Sequence, residues 1–341
     1  MPSSSRRRRG PRRRRRKEAA AETRNWADMP LDAILAVFHR LDHIDILMAA
    51  DQVCSSWRRA ARDEPALWRR IDMRGNADLS SRINRQGIAC DAVRRSAGQC
   101  ESFCGEYAGD AGFLLPQRAV APCLKSLRLI SCDGISLDEF AELIRRFPLL
   151  EELELSECPE LLPEVYEVLG QACPQLKHFR MNKQYFLEQK WGNNDADAEG
   201  IAGMHELRSL QLVANDLTNK GLAAILENCP RLESLDIRHC FNVKIGDDDD
   251  GTLLREKCAR IKTLRLPRDS TDDYHLEVQS PRFAGTEEEI RRAWSISPVY
   301  YSPWLQESEE DDDDFYRSPS RYEADLDKYE KVLPRSMRTF L

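Results

Sequence analysis

The sequence has no long uncharged run. Its longest, Ala293 to Gln306, is 14 residues and holds two prolines, too short and too polar for a membrane span of ~20 apolar residues. The opening Met1, Pro2 and Ser3 to Ser5 lead into arginines with no apolar segment behind them, so no secretory leader is read there. Glycine and proline number only 16 and 17, which excludes a collagen-like or wholly disordered chain. Histidine is scarce, the six residues fall at no ligand spacing, no C-x-x-C occurs, and Cys100 and Cys104 are the nearest cysteine pair. No zinc site or other cofactor is expected. A Cys-His relay, a glycine-rich phosphate loop and a paired carboxylate site are also missing, so the chain reads as non-catalytic.

The 341 residues suffice for one large or two modest domains. The 11 cysteines are spread along what reads as an intracellular chain, where they should be reduced thiols. The net charge of -7 hides an asymmetry. Residues 6 to 17 hold ten of the 51 basic residues, and without them 41 basic face 58 acidic, a balance of -17. Residues 1–24 are basic and of low complexity, and are expected to be disordered. That tract reads as a nuclear-import signal, a nucleic-acid arm or an incidental arginine run. The acidic body offers no basic face or aromatic platform to support nucleic-acid binding.

From Asn25 to Met73 helical signals are dense. Asp28 is expected to cap a helix with Pro30 in its first turn, and Leu31, Ile34, Leu35, Phe38 and Leu41 fall on one face. Asp42 is expected to cap a second helix through Ile46, Leu47, Ala50 and Val53. A third carries Cys54, Trp57 and Arg58 and ends at Asp63-Glu64-Pro65, with Leu67-Trp68 behind it. Three short helices bury little, so these large apolar groups are expected either to face another chain in part or all to pack internally, and composition alone does not separate the two.

These residues closely resemble the F-box. Met29-Pro30, Ile34-Leu35, Leu41-Asp42, Val53-Cys54-Ser55-Ser56-Trp57-Arg58 and Leu67-Trp68 stand in that motif's order. The resemblance implies docking onto the Skp-type adaptor of an SCF-type cullin-RING ubiquitin ligase. Pro30, Ile34, Leu35, Leu41, Val53, Trp57 and Trp68 would form or brace the interface.

A second signal runs from residue 124 to 266. Frames starting at Leu124, Leu150, Leu176, Leu207, Leu232 and Ile261 repeat at 25 to 31 residues, with apolar residues at +3 and +5 and Cys or Asn at +8 in four of the six. This is the leucine-rich-repeat frame. Helical stripes such as Phe140, Leu143, Ile144 and Phe147 lie between the strands, and Pro122, Pro148, Pro174 and Pro230 stop helices two residues before a frame starts. Such units must stack into a curved solenoid with parallel strands on the concave side. Cysteines at the turn after a strand (Cys132, Cys158, Cys240) and at helix ends (Cys173, Cys229, Cys258) read as small buried groups.

Together the two matches are similar to plant F-box/LRR proteins with cysteine-containing repeats. The expected fold is α/β: a disordered arginine-rich tail (1–24), a helical F-box (25–73), a degenerate first repeat or linker (74–123), leucine-rich repeats (124–268), and an acidic, largely disordered tail (269–341). An insertion is read at Gln184 to Gly200. Strand alternation aims +2, +4 and +6 at the concave face. The +4 row Arg128, Glu154, Arg180, Gln211, Asp236 and Arg265 reads either as a substrate-protein surface or as a self-neutralising ladder between rungs. The expected role is substrate recognition in the ligase, through the adaptor with its cullin and RING subunits, in nucleus and cytoplasm and away from membranes. A non-degradative scaffold is the alternative.

Overall fold

The computed structural model describes residues 25–75, 85–107, 121–132, 137–158, 164–189, 193–246 and 249–284. The disorder expected of 1–24 and of 285–341 lies outside the described residues. Helices α1 (Leu31–Phe38), α2 (His43–Met48) and α3 (Ser55–Asp63) form the N-terminal unit. The expected cap Asp28 does not start α1. It sits in a short 3-10 turn, Trp26–Asp28, capped by Asn25. The residue before a proline is driven extended. Met29 accordingly has φ -68° and ψ 131°, and the helix begins only behind Pro30. Asp42 does precede α2 but makes no side-chain cap bond. That helix is also shorter than expected, because Ala49 breaks it at φ -137° and ψ -55°, leaving Ala50–Gln52 in a 3-10 turn.

Eight of the described strands form one parallel sheet. Its order is β1 (Arg70–Met73), β2 (Ser102–Glu106), β3 (Ser126–Ile130), β4 (Glu152–Ser156), β5 (His178–Asn182), β7 (Ser209–Gln211), β8 (Ser234–Asp236) and β9 (Thr263–Arg265). The six strands from β3 on each begin two residues after a frame start. Leu127, Leu153, Phe179, Leu210, Leu235 and Leu264 stand in register across the sheet. Helices α4 (Arg85–Arg95), α5 (Leu137–Ile144), α6 (Glu164–Ala172), α7 (Ala196–Ile201), α8 (Asn219–Asn228) and α9 (Asp249–Cys258) pack on the opposite layer. The core between the layers contains the frame starts and the +3 leucines, most of them essentially inaccessible. Each fully buried leucine contributes about 1.5 to 3 kcal/mol.

The sheet starts before Leu124: the stretch read as a degenerate first repeat or linker (74–123) holds α4 and β2, and β1 stands ahead of it. β1 pairs with β2 and β2 with β3. Trp68 and Cys100 therefore occupy the frame-start position of two further rungs, and both are fully buried. The helical unit and the solenoid consequently share one hydrophobic core. A polar clasp adds to it: the Arg95 guanidinium, 5.3 Å over the Trp68 ring, pairs with the buried Asp51 at 3.0 Å and with Asp91 at 2.8 Å.

At +7 the chain leaves the sheet through a residue in the left-handed region. Tyr107, Ser131, Glu157, Ala214 and His239 have φ between 49° and 61°, a conformation uncommon for residues other than glycine. The rung that starts at Leu176 lacks this turn and runs on from Lys183 into β6 (Leu187–Gln189), which pairs with β10 (Arg282–Ala284). The region read as an insertion thus holds a strand and then the repeat's own helix, α7. All 11 cysteines are free thiols. Cys240 donates to Leu212 O, Cys173 to Phe147 O and Cys229 to Met204 O, so each thiol ties its rung to the one before. Burial pushes Cys173 up to about 12 and Cys229 to about 11, which suppresses the reactive thiolate.

Candidate protein-docking surfaces

The seven residues singled out on the N-terminal unit divide into two groups. Ile34, Trp57 and Trp68 are buried and brace the unit. Trp57 packs edge-on against Phe38 at 5.4 Å and donates its indole N–H to Trp26 O. Trp68 donates to Ala61 O at 2.7 Å, giving its indole N–H the partner a buried donor needs. Pro30 is exposed, and Leu35, Leu41 and Val53 are half-buried. Ile34 and Leu35 lie on α1 and Trp57 on α3, while Pro30, Leu41, Val53 and Trp68 lie in the caps, turns and 3-10 segments that join and follow these helices.

Sequence reasoning did not single out Trp26 or Leu31 for this surface, yet they are 54% and 48% exposed. Trp26 is held in place: its ring meets Trp57 at 6.2 Å, and Ser56 donates to Ala27 O at 2.9 Å. Large apolar groups clustered in water mark an interaction surface.

The sheet face opposite the helices differs in chemistry. Of the +4 row, Arg128, Arg180 and Gln211 are partly accessible and Arg265 is exposed, but Glu154 and Asp236 are buried. Arg128 meets Glu154 at 2.6 Å, and Arg180 meets Glu152 at 2.6 Å and Glu154 at 3.5 Å. Gln211 donates to Asp236 at 2.8 Å. The face therefore carries the self-neutralising ladder, with Glu154 at its centre. Burial alone would raise the Glu154 carboxyl, but the nearby His275 ring, the hydrogen bond and charge of Arg128 and the hydrogen bond from Ser156 hold it down at about 2. Arg128 is the nearer anchor, since His275 Nε2 stands 3.7 Å away.

The +6 row is not part of the open face, contrary to strand alternation. Ile130, Ser156, Asn182, Val213 and Arg238 are all buried. Asn182 donates to Ser156 Oγ and accepts from Val213 N, so its polar atoms are used between rungs. Val213 lies under a second apolar cluster with Phe186, Ala214, Phe241, Tyr274 and Val278. That cluster exists because residues 269–284, read as part of the tail, fold back over the strand ends. Asp273 of this segment reaches Arg238 and Arg265, and Tyr274 and His275 form one wall of a groove of about 510 Å³ with Arg70, Arg74, Arg128 and Arg180. No periodicity announces this return; the only cue in the sequence is the acidic pair Asp272-Asp273 following the arginine-bearing rungs.

Residues 26–74 match the family model described as F-box-like. The chain is 42% identical over 258 residues to the F-box protein SKIP19 of Arabidopsis thaliana, spanning 75% of this chain and 81% of that protein. It is 38% identical to the putative F-box/LRR-repeat protein 22 of the same plant, spanning 75% and 81%. It is also 38% identical to the putative F-box/LRR-repeat protein 23, spanning 73% of this chain and 55% of that one. The match at 26–74 includes β1, the strand that starts the sheet.

Proposed function

The chain belongs to the plant F-box/LRR-repeat proteins, and from that premise we propose that it is the substrate-recruiting subunit of an SCF-type cullin-RING ubiquitin ligase. The helical unit docks on the Skp-type adaptor through Pro30, Leu35, Leu41 and Val53, with Trp26 and Leu31 extending the surface and Ile34, Trp57 and Trp68 fixing it. The sheet face of Arg128, Arg180, Gln211 and Arg265 receives the target protein, and Glu154 and Asp236 hold that face together. Chemistry belongs to the other subunits; this chain supplies proximity.

The observation that carries this reading is the exposed apolar cluster on a unit that shares its core with the repeats. A target held on the sheet is then presented at a fixed orientation to whatever holds the helices. Truncating an apolar anchor in a desolvated interface costs more than ~2 kcal/mol. Pro30→Ala with Leu35→Ala should therefore abolish capture of adaptor and cullin from cells with the proteasome blocked, leaving the repeats folded. Undiminished capture by the double variant contradicts the assignment. A partner that is captured but whose lifetime is indifferent to the double change makes the chain a scaffold instead. The arginine tract is assigned to import, placing the protein in nucleus and cytoplasm. Deleting residues 6–17 should shift a fluorescent fusion toward the cytoplasm, and an unchanged distribution removes that role.

A further inference from the structure

The returning segment after β9 is fixed by backbone hydrogen bonds at both ends and held between them by side-chain contacts to the sheet. At its start His239 N donates to Pro267 O at 2.9 Å. At its end Gln279 N donates to Gln184 O, β10 pairs with β6, and the Arg282 guanidinium lies 3.9 Å from the Tyr185 ring centre. Between these anchors the chain crosses the last rungs of the sheet. Asp273 sits between Arg238 Nη1 at 2.5 Å and Arg265 Nη2 at 2.9 Å, and the Tyr274 ring lies 5.5 Å from the Arg238 guanidinium.

Three features mark this middle stretch as an occupant of the sheet face. The Arg238 side chain is 4% exposed and already has Nε and Nη2 on Asp236. Its Nη1, turned toward the segment, takes Asp273 and Ser270 O, so a buried guanidinium leaves one donor for whatever lies on the face. Asp273 and Arg265 are about half exposed, and ion pairs of that kind hold weakly. Finally, the Tyr274 hydroxyl is buried with no hydrogen-bond partner, a loss that any rearrangement giving it a partner removes. A carboxylate followed by an aromatic ring thus fits the face, yet the resident copy fits it incompletely.

We propose that residues 269–279 are an internal stand-in for the target, and that the sheet face recognises a partner segment in which Asp or Glu is followed directly by Tyr or Phe. The partner's carboxylate takes the place of Asp273 between Arg238 and Arg265, and its ring takes that of Tyr274 over Arg238. Until such a segment arrives the tethered copy, at high local concentration, keeps the face closed. This rests on the reading of that face as the recruiting surface.

The test uses the full chain and a fluorescent synthetic peptide with the sequence of residues 269–279. Asp273→Ala with Tyr274→Ala should bind this peptide at least tenfold more tightly than the wild type. Adding Arg265→Ala should weaken that binding severalfold, and a peptide with its Asp-Tyr pair changed to Asn-Ala should not bind. Equal binding by the wild type and the Asp273→Ala, Tyr274→Ala variant, or none by either, overturns the proposal. Hydrogen exchange of the wild type removes any dependence on variant folding. Amides of 269–279 should exchange by local opening, far faster than those of Leu210 and Leu235, and equal protection overturns the proposal as well. Adaptor capture is read separately. Peptide binding without adaptor capture refutes the ligase role and leaves the stand-in; adaptor capture without peptide binding does the reverse.

Discussion

The helical unit and the sheet face present opposite kinds of surface. On the helices, Trp26, Leu31 and Pro30 stand in water with their backbones tied down. On the sheet, the charged side chains are matched by one another and by the chain's own returning segment. An exposed apolar cluster is unsatisfied until a second surface covers it. A charge ladder is already satisfied, and a partner must replace contacts that exist. Under the proposed function the first surface is a constitutive dock, and the second is one where selection takes place.

The largest expected effect comes from removing what joins the two regions. Trp68 closes the helical unit and starts the first rung of the sheet. Trp68→Ala should cost about 3 to 5 kcal/mol, and helices and repeats should lose structure in one transition in urea. Two separate transitions, with the repeats unaffected, would show that the regions are independent.

A smaller effect separates the ladder from the dock by pH. Glu154 is held at about 2, against 4.5 for an ordinary glutamate. A carboxyl depressed in the folded state stabilises above its unfolded value and loses that contribution as pH falls through the folded one. Stability should therefore drop by on the order of 3 kcal/mol between pH 4.5 and pH 2. In Glu154→Gln this part of the acid sensitivity should vanish while the protein is already weaker at neutral pH. Urea midpoints across that range decide it, and identical slopes for both proteins contradict the buried anchor.

The smallest effect lies in the exposed part of the ladder. Arg180→Glu places like charges beside Glu152 and, at 3.5 Å, the buried Glu154, and the loss that belongs to the partly exposed Glu152 pair should be ~1 kcal/mol or less. Glu152→Arg added to it should restore the loss, visible as a recovered melting temperature. A swap that fails to recover would mean that the pair does not act as a unit.

Local periodicity explains how much was legible beforehand. Leu124, Leu150, Leu176, Leu207, Leu232 and Ile261 each stand two residues before a strand because a rung needs an apolar residue at that turn, and the next rung needs it again. The exposed dock follows in part from Pro30 and the short helices. Trp68 and Cys100 disguise two further rungs, since neither is a leucine, their frames lie 32 residues apart against 25 to 31 from Leu124 on, and the Cys100 frame has Gly105 at +5. The burial of Arg238 and Val213 was not legible, because it depends on Asp273 and Tyr274, some 35 to 60 residues away along the chain, and no repeat encodes that contact. The cap expected at Asp28 failed for a local reason: the constraint of Pro30 on Met29 outweighed the preference of an aspartate for a helix start.

The helical unit is proposed to dock on the adaptor independently of the state of the sheet face. Titrating the purified full chain with a purified Skp-type adaptor in a calorimeter tests this directly. The wild type should bind one to one, Pro30→Ala with Leu35→Ala should weaken binding at least ~30-fold, and Asp273→Ala with Tyr274→Ala should leave it unchanged. Equal affinity for the wild type and the Pro30/Leu35 variant, or no binding by the wild type, would contradict it.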